Sequence, residues 1–240
     1  RCVHQMASAG RTREAADLAR KLVELTDYPA DETESALELA HRAGLEPLEL
    51  ADAARRAHDD SIAHHRLYQN VAISLGRRRA LLDEYAHRRD AQPDSGDAAY
   101  LHARLVHGTE ALSLVDALGQ RFPRHPWLTR LRLHVHLGHR QHKVALEISD
   151  ALAELDPAAW LEMAPLVAPV MYMHARLPDL LARLQPHVLK VTDAHAAVQM
   201  HVLLRSLGKV TSDARVAAML TKLESPIGDE RVADASRRTS

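Results

Sequence analysis

The sequence predicts an all-α protein assembled from stacked helix–turn–helix units. The stretch from Thr109 to Pro157 contains one motif written twice, and its matching residues are 34 positions apart: Ala111 and Ala145, Leu112 and Leu146, Leu118 and Leu152, Pro123 and Pro157. About 34 residues is the length of a helical hairpin that must stack on its neighbours to bury its apolar face. Aromatic residues are only 3% of the 240, so strands lack their usual side chains. Residues that favour helices, mainly Ala and Leu, take their place.

The first half of the chain contains a series of amphipathic stretches. Apolar residues recur there at three- and four-residue steps, which is the spacing of one helix face. In chain order the predicted helices carry Ala15 to Leu25, Ala36 to Ala40, Leu48 to Ala57, Ile62 to Leu75, Ala80 to Ala86 and Tyr100 to Val106. Gly44 and Gly76 end two of them, and the breaker run Ala91–Gly96 separates the last two.

The second half continues the pattern after the repeated motif, with one irregular stretch. Beyond Pro157 a dense apolar run is interrupted by prolines: Pro165, Pro169, Pro178 and Pro186. An interior proline costs a helix about 3 kcal/mol, so a bent or broken helix is expected, with a possible seam near 157–178. Asp193 to Leu207 and Ser212 to Leu223 form one more helix pair. The whole chain thus predicts about thirteen helices joined by short connections.

The repeated motif resembles the tetratricopeptide repeat (TPR). That family places a small residue such as Ala111 or Ala145 in the second helix of each repeat and a proline about twelve residues later. Four residues fall where the family has its Trp, a small or apolar residue, its Tyr and its Gly: Trp127, Leu131, His134 and Gly138. The resemblance implies a right-handed α-solenoid of about six to seven stacked repeats. We expect one TPR-like domain over 1–225 and a flexible tail over 226–240.

The resemblance also implies where a partner binds. In the family, first helices line a concave face, and in this chain the corresponding stretches supply six candidates: Tyr68, Tyr100, Arg104, Leu128, Arg132 and His136. A wall with Arg, His and Tyr suits an extended protein or peptide segment with acidic or C-terminal carboxylate character. The alternative is that these residues are ordinary exposed polar positions.

Composition limits the other classes of function. The formal net charge is −1, so no global field favours nucleic acid, and no apolar run reaches the roughly 20 residues of a membrane span. Cys2 is the only cysteine, which excludes an internal disulfide and a cysteine-based zinc site. We assign no cofactor and no catalytic residue. The compartment and the oligomeric state stay open. Because the chain begins at Arg1, inside what resembles a repeat, we expect an excised segment.

Clusters of ionisable residues offer an alternative function. Among the 17 histidines, His136, His139 and His142 share one face if their helix continues past Gly138, which suggests a metal-dependent sensor or an enzyme on a helical bundle. Asp60 with His64 is a second weak candidate pair. An adventitious cluster and a surface hydrogen bond are the simpler interpretations, because carboxylates and cysteines that would support a metal are missing around the first group.

Two further surface features have both a structural and a functional interpretation. The arginines of 77–79 and 88–89 either bind an acidic tail or form a mixed solvated surface with nearby carboxylates. Met163, Met171 and Met173 with Tyr172 either line an apolar groove for a partner helix or fill a core.

The main functional prediction is a non-catalytic scaffold. The resemblance implies a bacterial protein of envelope or exopolysaccharide secretion machinery, or the sensor region of a transcriptional regulator. Its partner would be a protein or peptide segment.

Overall fold

The computed structural model describes residues 2–190 and 194–227, and within them the chain is all-α. These residues contain 14 helices and no strand. Seven helices and the start of an eighth precede the point at which the chain divides into two compact units, Arg1–Leu118 and Gly119–Ser240. They are α1 (Cys2–Ser8), α2 (Thr12–Leu25), α3 (Ala30–Arg42), α4 (Leu48–Ala57), α5 (Ile62–Ser74), α6 (Arg78–Ala91), α7 (Gly96–Ala103) and α8 (Thr109–Arg121). The dividing point lies within α8.

The second unit contains the end of α8 and six further helices. They are α9 (Pro126–Gly138), α10 (His142–Leu155), α11 (Pro157–Met173), α12 (Leu177–Lys190), α13 (Ala194–Gly208) and α14 (Ala214–Ile227). The predicted all-α class is therefore confirmed, and the repeat helices lie where the sequence pattern placed them. Of the predicted tail 226–240, the first two residues belong to α14 and the rest lies outside the described residues.

In the first unit, consecutive helices pack as hairpins and alternate helices lie side by side. Short connections bring α2 against α3, α4 against α5, and α6 against α7, while α5 also contacts α3 and α7. A core cluster forms where α2, α3 and α4 meet, around Val23, Leu37 and Ala51. The helices α3, α5 and α7 thus form a continuous layer, which is the arrangement expected of the first helices of stacked repeats.

The second unit has one contiguous core that extends from α9 to α14. It includes Leu133, Trp160, Leu184, Leu204 and Leu223, all nearly inaccessible to solvent. The stretch 157–178 that we considered as a seam lies within this unit, and α11 contributes to its core. The observed division lies instead at Leu118 and Gly119, so the domain range 1–225 and its seam stay predictions.

The helix after Pro157, expected to be bent or broken, is not broken. Residues Pro157–Met173 form the single helix α11, although Pro165 and Pro169 lie inside it. Both prolines are on the exposed side, where water can satisfy the carbonyl groups that lose an intrahelical N–H donor. The opposite side of α11 packs into the core through a set of buried residues: Met163, Ala164, Val167, Ala168, Val170 and Met171.

The repeated motif occupies equivalent places in α8 and α10. Ala111 and Ala145 are both buried, as are Leu118 and Leu152. The helices end at Arg121 and Leu155, so Pro123 and Pro157 each follow their helix by two residues. The period of 34 therefore describes real structural equivalence between these two helices.

Candidate functional site

The candidate site lies in the first unit, where Arg104 connects α7 to α5. Because α7 ends at Ala103, Arg104 occupies the C-cap position, and its side chain extends toward α5. Its Nη1 donates to Gln69 Oε1 at 2.6 Å and its Nη2 donates to Asn70 Oδ1 at 2.9 Å. The two acceptors are neutral amides, so these hydrogen bonds orient the guanidinium group without neutralising its charge.

The electrostatic surroundings of Arg104 are cationic. Burial lowers the pKa of the Arg104 guanidinium, and the positive charges of Arg66 and Arg78 act in the same direction. Two tyrosine hydroxyls, of Tyr100 and Tyr85, act in the opposite direction, and no carboxylate is among the described groups that shift this pKa. A half-buried cation with amide partners and cationic neighbours is favourable for an incoming anion.

Gln69 explains why the guanidinium group is held in place. This side chain is fully buried, and its Nε2 donates to the backbone carbonyl of Leu101 at 2.9 Å while its Oε1 accepts from Arg104. Both ends of the amide are therefore satisfied, and the donor and acceptor atoms are fixed between α5 and α7. Sequence reasoning missed Gln69 and Asn70, because an amide pair carries no periodic or charge signal before the fold brings Arg104 beside it.

The predicted binding residues of the first unit have different surroundings. Tyr68 is half-buried in α5, with the guanidinium carbon of Arg55 4.6 Å from its ring centroid and its hydroxyl 3.4 Å from Glu84 Oε2. Burial raises the pKa of Tyr68, with the Glu84 carboxylate acting in the same direction. Tyr100 is buried, with only 6% of its surface exposed, so it supports the site from within the core.

The predicted binding residues of the second unit lie on α9. Leu128 and His136 are buried, at 2% and 1% exposure, and His136 Nδ1 is 2.6 Å from Gln141 Oε1. Arg132 is half-buried, and its side chain packs on α8 where Gly119 leaves room for it, since a Cβ atom at that glycine would be 3.0 Å from Arg132 Cδ. Their role in binding stays a prediction, and the two buried side chains are unavailable to a partner in this conformation.

The histidine stretch is divided between different environments. The helix α9 ends at Gly138, so His136, His139 and His142 do not share one continuous helix face. His136 is buried while His139 is exposed. In residues 2–190 and 194–227, no three His, Cys, Asp or Glu side chains lie close enough together to hold a metal ion.

The second histidine candidate also has a different geometry from the one predicted. His64 is not paired with Asp60. Its Nε2 donates to the backbone carbonyl of Tyr28 at 2.7 Å, and its Nδ1 accepts from the Ser61 hydroxyl at 2.8 Å. This hydrogen bonding is structural, because both ring nitrogens are satisfied within the protein.

The arginine and methionine clusters divide between surface and core. Arg88 is paired with Asp59 at 2.7 Å and Arg89 with Asp90 at 2.7 Å, which fits the mixed surface interpretation for these two arginines. Met163 and Met171 are buried in the core of the second unit. Only Tyr172 and Met173 are exposed, and they line an apolar groove of about 350 Å³ between α11 and α13.

Comparisons with known proteins show a likeness in fold. No protein-family model and no curated protein matches the sequence. A solved thermophilic TPR protein from Thermus thermophilus is similar over 73% of this chain and 99% of its own, with 15% identity and a TM-score of 0.49. A TPR protein from Parabacteroides merdae is similar over 99% of this chain and 95% of its own, with 14% identity and a TM-score of 0.45.

No helix in the described part of the chain is long and apolar enough to cross a membrane.

Proposed function

We propose that this protein is a non-catalytic scaffold that binds a protein or peptide segment through an anionic group held by Arg104. The observation that supports the proposal is the guanidinium of Arg104, which is half-buried and has amide oxygens as its hydrogen-bond partners. A carboxylate at this position would gain charge-assisted hydrogen bonds without displacing another carboxylate. The binding energy would come from the surface of several helices and a few such anchors, as repeat surfaces provide area more than a closed pocket.

The preferred ligand is an extended segment with an acidic side chain or a free C-terminal carboxylate. Both present the same planar anion to a guanidinium group. The biological setting implied by the resemblance, in envelope or exopolysaccharide secretion or in a regulator, remains a prediction.

The experiment is a binding selection from a library of random peptides with free C-termini, with amidated copies of the selected peptides as the comparison. We expect acidic residues or the free terminus to be enriched. Arg104→Gln should weaken binding of the selected peptides by about tenfold to a hundredfold, because a charge-assisted hydrogen bond contributes about 1.5–3 kcal/mol.

Two control variants make this result interpretable. Arg13→Gln removes an exposed arginine of α2 and should leave binding unchanged. Arg104→Lys keeps a positive charge and should retain part of the affinity, since it loses only the bidentate geometry. If Arg104→Gln has the thermal midpoint of the parent protein and binds the selected peptides equally well, the site is not at Arg104.

A further inference from the structure

A groove between α3 and α5 extends the Arg104 site toward the acidic side of the first unit. Its volume is about 260 Å³, and Leu37, Leu67 and Val71 form its apolar part. Glu34 and Glu38 of α3 line one wall, and Asn70 of α5 lines the other. The groove therefore combines an apolar floor with carboxylates on one side only.

Asn70 belongs to both the groove and the Arg104 site. Its Oδ1 accepts the hydrogen bond from Arg104 Nη2 at 2.9 Å, so the guanidinium group lies at the α5 side of the groove. A ligand whose anionic group is at Arg104 and whose chain crosses Asn70 next meets the wall of α3. The positive charge of Arg104 and the negative charges of the α3 wall thus lie at opposite ends of a short path across Asn70.

The charge of the α3 wall is only partly compensated. Among the described residues Glu34 forms no ion pair, and Glu38 Oε2 is 3.8 Å from Arg42 Nη2 in a pair whose side chains are 66% and 70% exposed. A pair so exposed and so long is weak. His41 is on the same wall and is the remaining titratable group that lines the groove. A ligand cation at this wall would complete the charge balance.

We propose that this groove selects, among the anionic segments of the proposed function, those that carry a lysine or arginine about three residues from the anionic group. The spacing follows because neighbouring helix axes are about 8–10 Å apart and an extended peptide rises about 3.3 Å per residue. An apolar residue between the two charges packs on Leu67 and Val71. The inference rests on the proposed function, because it requires the anion to bind at Arg104.

The test uses three synthetic peptides with a free C-terminus: acetyl-Ser-Gly-Lys-Leu-Ala-Asp, and the same peptide with Gln or with Glu in place of Lys. We expect the Lys peptide to bind about fivefold tighter than the Gln peptide and the Glu peptide to bind weakest, as measured by isothermal titration calorimetry. The double variant Glu34→Gln with Glu38→Gln should abolish the preference for Lys while keeping the affinity for the Gln peptide. The matched control is Glu110→Gln, at an exposed glutamate of α8. It should change neither the preference for Lys nor the affinity for the Gln peptide.

The outcomes separate this inference from the proposed function. Equal affinity for the Lys and Gln peptides, or a Lys preference that survives in the double variant, overturns the selectivity while Arg104→Gln still weakens all three peptides. If Arg104→Gln changes none of the affinities, or if no peptide binds, both the anchor and the selectivity are wrong.

Discussion

At the scale of single residues, the histidines of the first unit stabilise its connections. His58 and His64 are stacked with ring centroids 4.5 Å apart, and their Nε2 atoms donate to the carbonyls of Asp27 and Tyr28 at 2.7 Å each. Asp27 and Tyr28 have φ values of 58° and 51°, a left-handed conformation that costs free energy for residues other than glycine. The two rings offset that cost by satisfying the carbonyl groups of the strained connection.

His65 is a buried histidine whose tautomer is fixed by its partners. Its Nε2 is 2.8 Å from the backbone carbonyl of Asp59, which only accepts, so this nitrogen carries the proton. Its Nδ1, 2.7 Å from the Tyr85 hydroxyl, then accepts from that group. Burial raises the pKa of Tyr85, so the phenol stays protonated and keeps donating. The neutral ring is the form that this pocket stabilises.

The pH dependence of stability follows from that preference. Burial lowers the pKa of His65, and the charges of Arg88 and Arg55 oppose its protonation, although the Asp59 backbone bond favours it. His65 therefore binds a proton more tightly in the unfolded chain than in the folded protein. The stabilisation is complete above the unfolded pKa of about 6.5 and is lost as the pH falls from there through the lower folded pKa.

We expect the free energy of unfolding to decrease between about pH 7.5 and about pH 5, and to decrease less in His65→Gln. Urea unfolding at both pH values measures this difference. His87→Gln, at an exposed histidine of α6, should retain the slope of the parent protein. Equal slopes for His65→Gln and the parent protein would mean that His65 does not stabilise the fold as a neutral ring.

Thr33 provides a second prediction at this scale. Its side chain is fully buried in α3, and its Oγ1 has no hydrogen-bond partner. Thr33→Val keeps the shape and removes an unsatisfied polar atom, so we expect the free energy of unfolding to rise by up to about 1 kcal/mol.

Chemical denaturation of matched variants measures the effect at Thr33. Thr129→Val removes a hydroxyl that donates to the His125 carbonyl at 3.0 Å and should lower the stability. A loss of stability in Thr33→Val would show that Oγ1 is satisfied in solution, for instance by water.

At the scale of elements, the repeated motif fixes which helix faces are buried. Ala145 is fully buried in α10, beside the core of the second unit, and replacing it with Leu forces extra methylene groups into a filled space. We expect Ala145→Leu to lower the free energy of unfolding by about 1–3 kcal/mol. Ala151→Leu, at an exposed position of the same helix, is the control and should be nearly neutral. An unchanged thermal midpoint for Ala145→Leu would contradict the repeat register.

The helices themselves could be predicted from sequence, because their apolar spacing and their glycines are local signals. The binding surface stays a prediction, because burial alone does not test it. Arg104 reaches α5 through Gln69 and Asn70, whereas Leu128 and His136 are buried. A period of 34 fixes which residues are equivalent, but it does not fix how far each helix rotates about its axis. The short helix α7, which ends at Ala103, is also a tertiary outcome that propensity alone does not give.

The ion pairs of Asp150 in the second unit also could not be predicted from local sequence patterns. Asp150 of α10 accepts hydrogen bonds from Arg176 and Arg183, which belong to later segments of the chain. Burial alone would raise the pKa of Asp150, but the two arginines outweigh it and lower the pKa. Such a triad joins residues about thirty positions apart, and no local pattern indicates it.

At the scale of the whole molecule, the proposed binding depends on local charge and not on net charge. The formal net charge of −1 gives no long-range attraction for an acidic or a basic partner. Within the first unit, however, the cationic surroundings of Arg104 and the carboxylates of the α3–α5 groove are adjacent through Asn70. Recognition is therefore expected to be specific for the order of charges along a segment, with an affinity that decreases as salt increases.

The most direct measurement is residue-resolved mapping of a bound anionic peptide by NMR. The protein is labelled with ¹⁵N, and the signals of the arginine Nε–H groups and the amide side chains are followed during titration with acetyl-Ser-Gly-Lys-Leu-Ala-Asp. We predict the largest shifts at the Arg104 guanidinium and at the side-chain amides of Gln69 and Asn70, and no such shifts with the amidated peptide that has Asn in place of Asp. Saturable shifts confined to α11 and α13, with the signals of Arg104 unchanged, would contradict the account.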